Sequence, residues 1–120
     1  RLMLEASGIV FIVELPDRFE LPEDAEATLC LVLREAVTNI HRHSRATEAR
    51  VVITRNGQDF SMRITDNGCG GLTAHGNGVS GMRERVRQIG GRLAIESPVR
   101  QGTVLDIGLT ASGRPRERVA

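Results

Sequence analysis

Hydrophobic and polar positions along this chain change period several times, and each change marks a structural element. Residues 8 to 16, GIVFIVELP, form a run of β-branched and aromatic side chains ended by Pro16. Such residues suit a pleated surface and proline stops a ladder, so the run predicts a strand. From 21 to 44, LPEDAEATLCLVLREAVTNIHRHS, the period lengthens. Pro22 and three acids stand at the front, which are helix-start signals, and Leu29, Leu33, Ala36, Val37 and Ile40 recur at three- and four-residue spacing. The spacing predicts one long helix with those five positions on its buried face.

Residues 48 to 66, EARVVITRNGQDFSMRITD, alternate on either side of Asn56-Gly57, so strands 49 to 55 and 58 to 65 are expected to pair as a hairpin. A glycine-rich stretch follows. GVSGMRERVRQIGG, from 78, then carries Val79, Met82, Val86 and Ile89 at helical spacing and closes on Gly90-Gly91, predicting a helix over 79 to 89. RLAIESP and GTVLDIGLT read as a last strand pair joined through Pro98 and Gly102. The order strand, long helix, hairpin, loop, helix, hairpin predicts an α/β two-layer sandwich. Its sheet should be mixed but mostly antiparallel, with both helices on one face and the loop from 66 to 78 across one end.

Composition narrows the classes of partner. With 120 residues the chain is one domain, expected over 1 to 110, with SGRPRERVA closing a polar tail over 111 to 120. Its net charge of +1 gives no bulk attraction to nucleic acid or a membrane surface. Three Phe, no Trp and no Tyr imply an aliphatic core and no stacking platform for single strands. Cys30 and Cys69 form no disulfide framework or CxxC site; Cys30 is expected to pack in the core and Cys69 to fill the loop, in a reducing cytoplasm. No apolar stretch approaches the ~20 residues of a membrane span, and no signal-peptide pattern opens the chain, so a soluble segment without direct membrane contact is expected.

Candidate chemistry falls in two places. Glu35, Asn39 and Arg42 at i, i+4 and i+7 lie within about 60° of one another on a helix. A solvated face would explain them, but Asn is a poor mid-helix residue, and an acid, a carboxamide and a cation in line also suit a Mg²⁺–polyphosphate complex. His41 and His43 are spaced wrongly for a helical metal pair; His43 is a candidate phosphate or ribose contact, and His41 and His75 are expected to be exposed. The second place is DNGCGG, residues 66 to 71. It is either an ordinary turn, or a backbone on which a flat ring lies while Asp66 accepts from an exocyclic amino group, as on adenine. Gly76, Gly78 and Gly81 follow with GxGxxG spacing and open a helix whose free N–H groups would face an anion. Met82 and Val86 belong to the core; Arg83, Glu84 and Arg85 fit a solvated face as well as a functional one.

Taken together, REAVTNIHRHS, DNGCGG, GNGVSGMRERV and GTVLDIGL resemble, over about residues 4 to 110, the GHKL ATPase superfamily, whose Bergerat fold is shared by gyrase B, Hsp90, MutL and histidine kinases. Within it the chain is similar to the catalytic ATP-binding (HATPase_c) domain of NarL/DesK-type sensor histidine kinases. The resemblance implies ATP and Mg²⁺ as cofactors. Asn39 would ligate the metal and Glu35 would share it or orient the reacting group, while Arg42 and His43 would touch phosphates. Asp66 would read adenine in a pocket shaped by Gly68 and Gly70. Gly76 and Gly78, with Val79 and Gly81 in the same helix-opening segment, would lie at the phosphates. Thr103, after Gly102, would support the water network between Asp66 and the base. The lid between Gly71 and Gly76 would be short. Implied partners are a helical dimerisation domain carrying the phosphoacceptor histidine and a response regulator of the NarL/LuxR type, in the cytoplasm. The sequence has no DLHD-like segment, so the chain is expected to bind ATP without autophosphorylating alone. Two other readings of the same fold are an anti-sigma-type serine kinase and a non-catalytic interaction module.

Overall fold

Alternating side chains in residues 48–66 and helical periodicity before and after them resolve into two layers. The structure, a computed structural model, describes residues 2–6, 8–17, 20–21, 23–57, 59–71 and 78–110. Its elements are β1 (Leu2–Ala6), β2 (Ile9–Glu14), α1 (Glu23–Asn39), a π-helical turn (Ile40–Ser44), β3 (Glu48–Asn56), β4 (Asp59–Asp66), α2 (Val79–Gln88), β5 (Arg92–Glu96) and β6 (Thr103–Thr110). The six strands form one sheet in the order β1-β2-β3-β4-β6-β5. Only β2 and β3 run parallel, as a strand–helix–strand crossover through α1 requires, and the remaining pairs are antiparallel.

The hairpin forms as the sequence predicts, Asn56 pairing with Asp59 around Gly57 at φ +64°. The expected strand at 8 to 16 forms as β2, and it is the second arm of another hairpin. Leu2–Ala6 pairs along it around Gly8, at φ +79°. LMLEA has no clean period of two, which is why β1 was not legible. The expected tail at 111 to 120 lies outside the described residues.

Alternate strand residues point to one side and meet both helices. Ile9, Ala49, Val51, Phe60, Met62, Ile64, Leu93, Leu105, Ile107 and Leu109 form one buried cluster with the apolar stripes of α1 and α2. The other sheet face is largely polar: Arg63 grips Asp106 through two bonds of 2.7 and 3.0 Å, Arg50 pairs with Glu14, and the Thr54 and Ser61 hydroxyls bond at 2.8 Å. An antiparallel sheet tolerates such a solvated face.

Two expectations for the long helix need correction. Its buried positions are Ala25, Leu29, Val32, Ala36 and Asn39, while Leu33 and Val37 are only half-buried. The sheet receives the helix about one residue round from the expected stripe, and this turns Asn39 inward. The helix also stops being α-helical at Asn39 and widens into the π turn, which ends at Arg45 in the left-handed region at φ 57°. Cys30, expected in the core, is exposed on α1, and Cys69 is exposed as well, so neither fills space inside the domain. At the end of α2, Gly90 and Gly91 donate to the carbonyls of Arg87 and Val86 at 2.9 Å each, the glycine closure the sequence predicts. No helix among the described residues is long and apolar enough to cross a membrane.

Met62 lies on the central strand and is 2% exposed, packed between sheet and helices. Met62→Ala should therefore lose about 2–5 kcal/mol of stability, read as a lower urea midpoint at unchanged slope.

Candidate functional site

Strand β4 lies between β3 and β6, and its last residue, Asp66, is paired with Ala49 on one side and Thr103 on the other. Leaving the ladder there, the chain turns at once: Asp66 Oδ1 accepts the Gly68 N–H at 2.8 Å. One carboxylate oxygen thus closes the turn, and no described residue bonds to the second. Loss of water on half-burial pushes the Asp66 carboxyl above its ordinary value, with the Gly68 N–H pulling the other way.

The wall beside Asp66 is bare backbone. Gly70, at φ +64°, is so close to the β5–β6 turn that a Cβ there would overlap the Pro98 carbonyl oxygen and lie 2.8 Å from that of Gly102. Gly102, at φ +78°, has the Asp66 carbonyl where its own Cβ would be. Two further bonds clasp the loops together, Gly71 N–H to Ser97 O at 2.8 Å and Arg100 N–H to Cys69 O at 2.5 Å. Thr103, 4% exposed, has its hydroxyl 2.6 Å from that of Ser97. Ser97 was not among the expected site residues; only the pairing of β5 with β6 brings it to Thr103. Asn67, to which the sequence assigned no role of its own, directs its whole carboxamide at Thr47 and Glu48.

The same end of the sandwich receives the end of α1 and the start of α2. Asn39 is 5% exposed, and its Nδ2 is buried with no partner. A buried polar group left unpaired costs about 1–3 kcal/mol, a cost that a ligand accepting from this Nδ2 would relieve. Glu35, one turn earlier and half-buried, lies against Gly78. A Cβ on Gly78 would lie 2.9 Å from the Glu35 carboxyl carbon and overlap Oε1. Gly78 caps α2 at φ 80°, and the first bond inside the helix is Met82 N–H to Gly78 O at 3.0 Å. The N–H groups of Val79, Ser80 and Gly81 therefore have no partner within the helix.

Glu35, Asn39 and Arg42 do not form one solvated line, because Asn39 is inside, Glu35 is at the margin and only Arg42 is exposed. Val79 is 0% exposed and belongs to the core. Gly81 is exposed on the first turn of α2 with nothing near its Cβ position. Gly76 and His75 lie outside the described residues, as does the His43 side chain; the His43 backbone is in the π turn. Among the described residues no three His, Cys, Asp or Glu side chains cluster to hold a metal. An ion at Asn39 and Glu35 would need oxygens from its ligand, which is how Mg²⁺ is held beside phosphates.

A family model for histidine kinase-, DNA gyrase B- and HSP90-like ATPases matches residues 24–112, and the chain belongs to that family. It is the family's ATP-binding domain. Among its relatives in Bacillus subtilis are the sensor histidine kinases YxjM, 36% identical over 73% of this chain, and DesK, 32% identical over 89%. The chain spans 22% and 30% of their respective lengths. The histidine kinase domain of the blue-light activated histidine kinase from Erythrobacter litoralis superposes with TM-score 0.77 at 20% identity, covering 94% of this chain and 58% of that one. That likeness shows the fold.

The raised pKa of Asp66 sets the sign of a pH effect. The folded chain holds this proton more tightly than the unfolded chain. The resulting destabilisation is absent below the unfolded pKa and fully present above the folded one. Asp66→Asn keeps an oxygen for the Gly68 N–H and removes the charge. Its unfolding midpoint near about pH 7 should equal or exceed that of wild type, with the gap closing towards about pH 4. A lower midpoint for the variant at neutral pH would contradict this assignment.

Proposed function

We propose that this domain is the phosphoryl-donating half of a sensor histidine kinase, holding Mg²⁺-ATP between the Asp66 turn and the facing ends of α1 and α2. The observation that carries this is the buried Asn39 Nδ2 with no hydrogen-bond partner, beside a helix start whose first N–H groups have no partner within the helix, at the same sheet end as an aspartate with one open oxygen.

In this reading Asp66 accepts from the adenine amino group, Gly68 and Gly70 let the ring lie against backbone, and the Ser97–Thr103 hydroxyl pair supports the water beside it. The N–H groups at the start of α2 and the exposed Arg42 face the phosphates, joined by His43 and Gly76. Asn39 and Glu35 would hold Mg²⁺, which when bound supplies charge neutralisation on the triphosphate. The domain's part in the transfer is positioning and exclusion of water. As the bond from the γ-phosphorus to the β–γ bridging oxygen breaks and ADP leaves, a bond forms to a histidine nitrogen on a helical dimerisation domain. The phosphoryl group then passes to an aspartate of a response regulator of the NarL/LuxR type in the cytoplasm. The names of the relatives support this wider role.

Calorimetry with a non-hydrolysable ATP analogue and Mg²⁺ tests the reading. Wild type should bind, and Asp66→Asn should bind about tenfold or more weakly, the range for losing a hydrogen bond to a charged group. Asn39→Ala should retain binding of the base and lose the increment that Mg²⁺ adds. Equal affinity in Asp66→Asn would remove the base-reading role, and an undiminished Mg²⁺ increment in Asn39→Ala would remove the metal role.

A further inference from the structure

Asn67 is exposed, yet its polar groups all reach in one direction. Its Oδ1 accepts the N–H groups of Thr47 and Glu48 at 2.9 and 3.0 Å, its Nδ2 donates to Thr47 Oγ1 at 3.0 Å, and its own N–H donates to Glu48 O at 3.2 Å. An asparagine in a turn ordinarily bonds to its own backbone a residue or two on. Here Asp66 makes that local bond, to Gly68, and Asn67 bonds across to residues 19 and 20 positions earlier.

What it grips is the exit of α1. Thr47 follows the π turn Ile40–Ser44 by three residues, and Arg45 between them is in the left-handed region. The Thr47 carbonyl also accepts the Val10 N–H at 2.9 Å, so the junction is anchored to β2 as well. The residues on either side of this clip are those that handle opposite ends of a nucleotide: Asp66 directly before Asn67, and Asn39 and Arg42 on the helix and turn before Thr47.

We propose that Asn67 is a positioning residue that fixes the Asp66 turn to the exit of α1 and so sets the spacing between the base-reading and phosphate-handling halves of the site. The proposal rests on the ATP reading above and names a determinant of it. Its bonds lie at the surface, where water replaces them at little cost, so their net contribution to global stability is small. Their geometric contribution is larger. Without them the turn is loose in the free domain, and binding must order it. Aspartate can take over: one oxygen accepts both N–H groups and the other accepts from the Thr47 hydroxyl, which can donate as well as accept. Alanine cannot.

The test is calorimetry of the ATP analogue with Mg²⁺ on the 120-residue chain, together with amide hydrogen exchange and denaturant midpoints. Asn67→Ala should weaken binding roughly 5- to 20-fold, the equivalent of one or two net hydrogen bonds, with little change in midpoint. The amides of Thr47 and Glu48 should exchange faster. Asn67→Asp should return affinity to within about threefold of wild type, the screened effect of one added surface charge. In the Asp66→Asn background the further cost of Asn67→Ala should largely vanish, because a residue acting through Asp66 has nothing left to position. If Asp66→Asn weakens binding but Asn67→Ala stays within about twofold of wild type, the proposal falls and the ATP reading stands. Equal costs of Asn67→Ala in both backgrounds would likewise overturn it. Absence of any binding by wild type would overturn both.

Discussion

The pairing of β4 on both of its edges is the constraint on which the site depends. Every residue from Asp59 to Asp66 has a partner on β3 and another on β6, so the strand cannot shift its end without breaking both ladders. A side chain at such an end is held by the sheet, while the backbone just beyond is free to turn. Asp66 therefore combines a fixed origin with an open carboxylate oxygen. Gly102 beneath it and Gly70 beside it are glycines because the Asp66 and Pro98 carbonyls occupy the space that a Cβ would need.

Two polar groups are carried at this end against their own solvation. Asp66 has lost enough water to raise its pKa, and Asn39 has a buried amide end with no partner. Neither arrangement helps the free domain fold. Both are locally unfavourable features of the kind that binding sites commonly hold on a stable scaffold. The scaffold here is the aliphatic cluster between the sheet and both helices. Among the described residues its buried polar side chains, Asn39 and Thr103, lie at the end of α1 and the start of β6.

The helix ends contribute in different ways. Instead of ending in a glycine cap, α1 widens into a π turn, a form often found at functional sites, and this carries Arg42 and the His43 backbone round towards Thr47. Glu35 meanwhile lies against Gly78, so α1 and α2 touch where one ends and the other begins. A side chain at position 78 would push that carboxylate away.

Local spacing was enough to reveal α1, α2, the β3–β4 hairpin and the β5–β6 pair, because amphipathic periods of 2.0 and 3.6 residues are written in neighbouring positions. Four ordered motifs were enough to imply the family. What spacing could not show depends on contacts between distant segments. LMLEA has no period of its own, and β1 exists because β2 offers it an edge. Asn39 looked like part of a solvated stripe until the sheet determined which side of α1 to cover. Thr103 faces Asp66 because β6 inserts between β4 and β5, and Ser97 joins them only through that pairing. Asn67 has the composition of a turn, but its partners are Thr47 and Glu48. The sequence by itself therefore determined the elements and the chemical types available at the site. The tertiary structure decided which of those groups are buried, which are left open and which bond to one another, since burial and long-range hydrogen bonding are set by packing partners that no local pattern names.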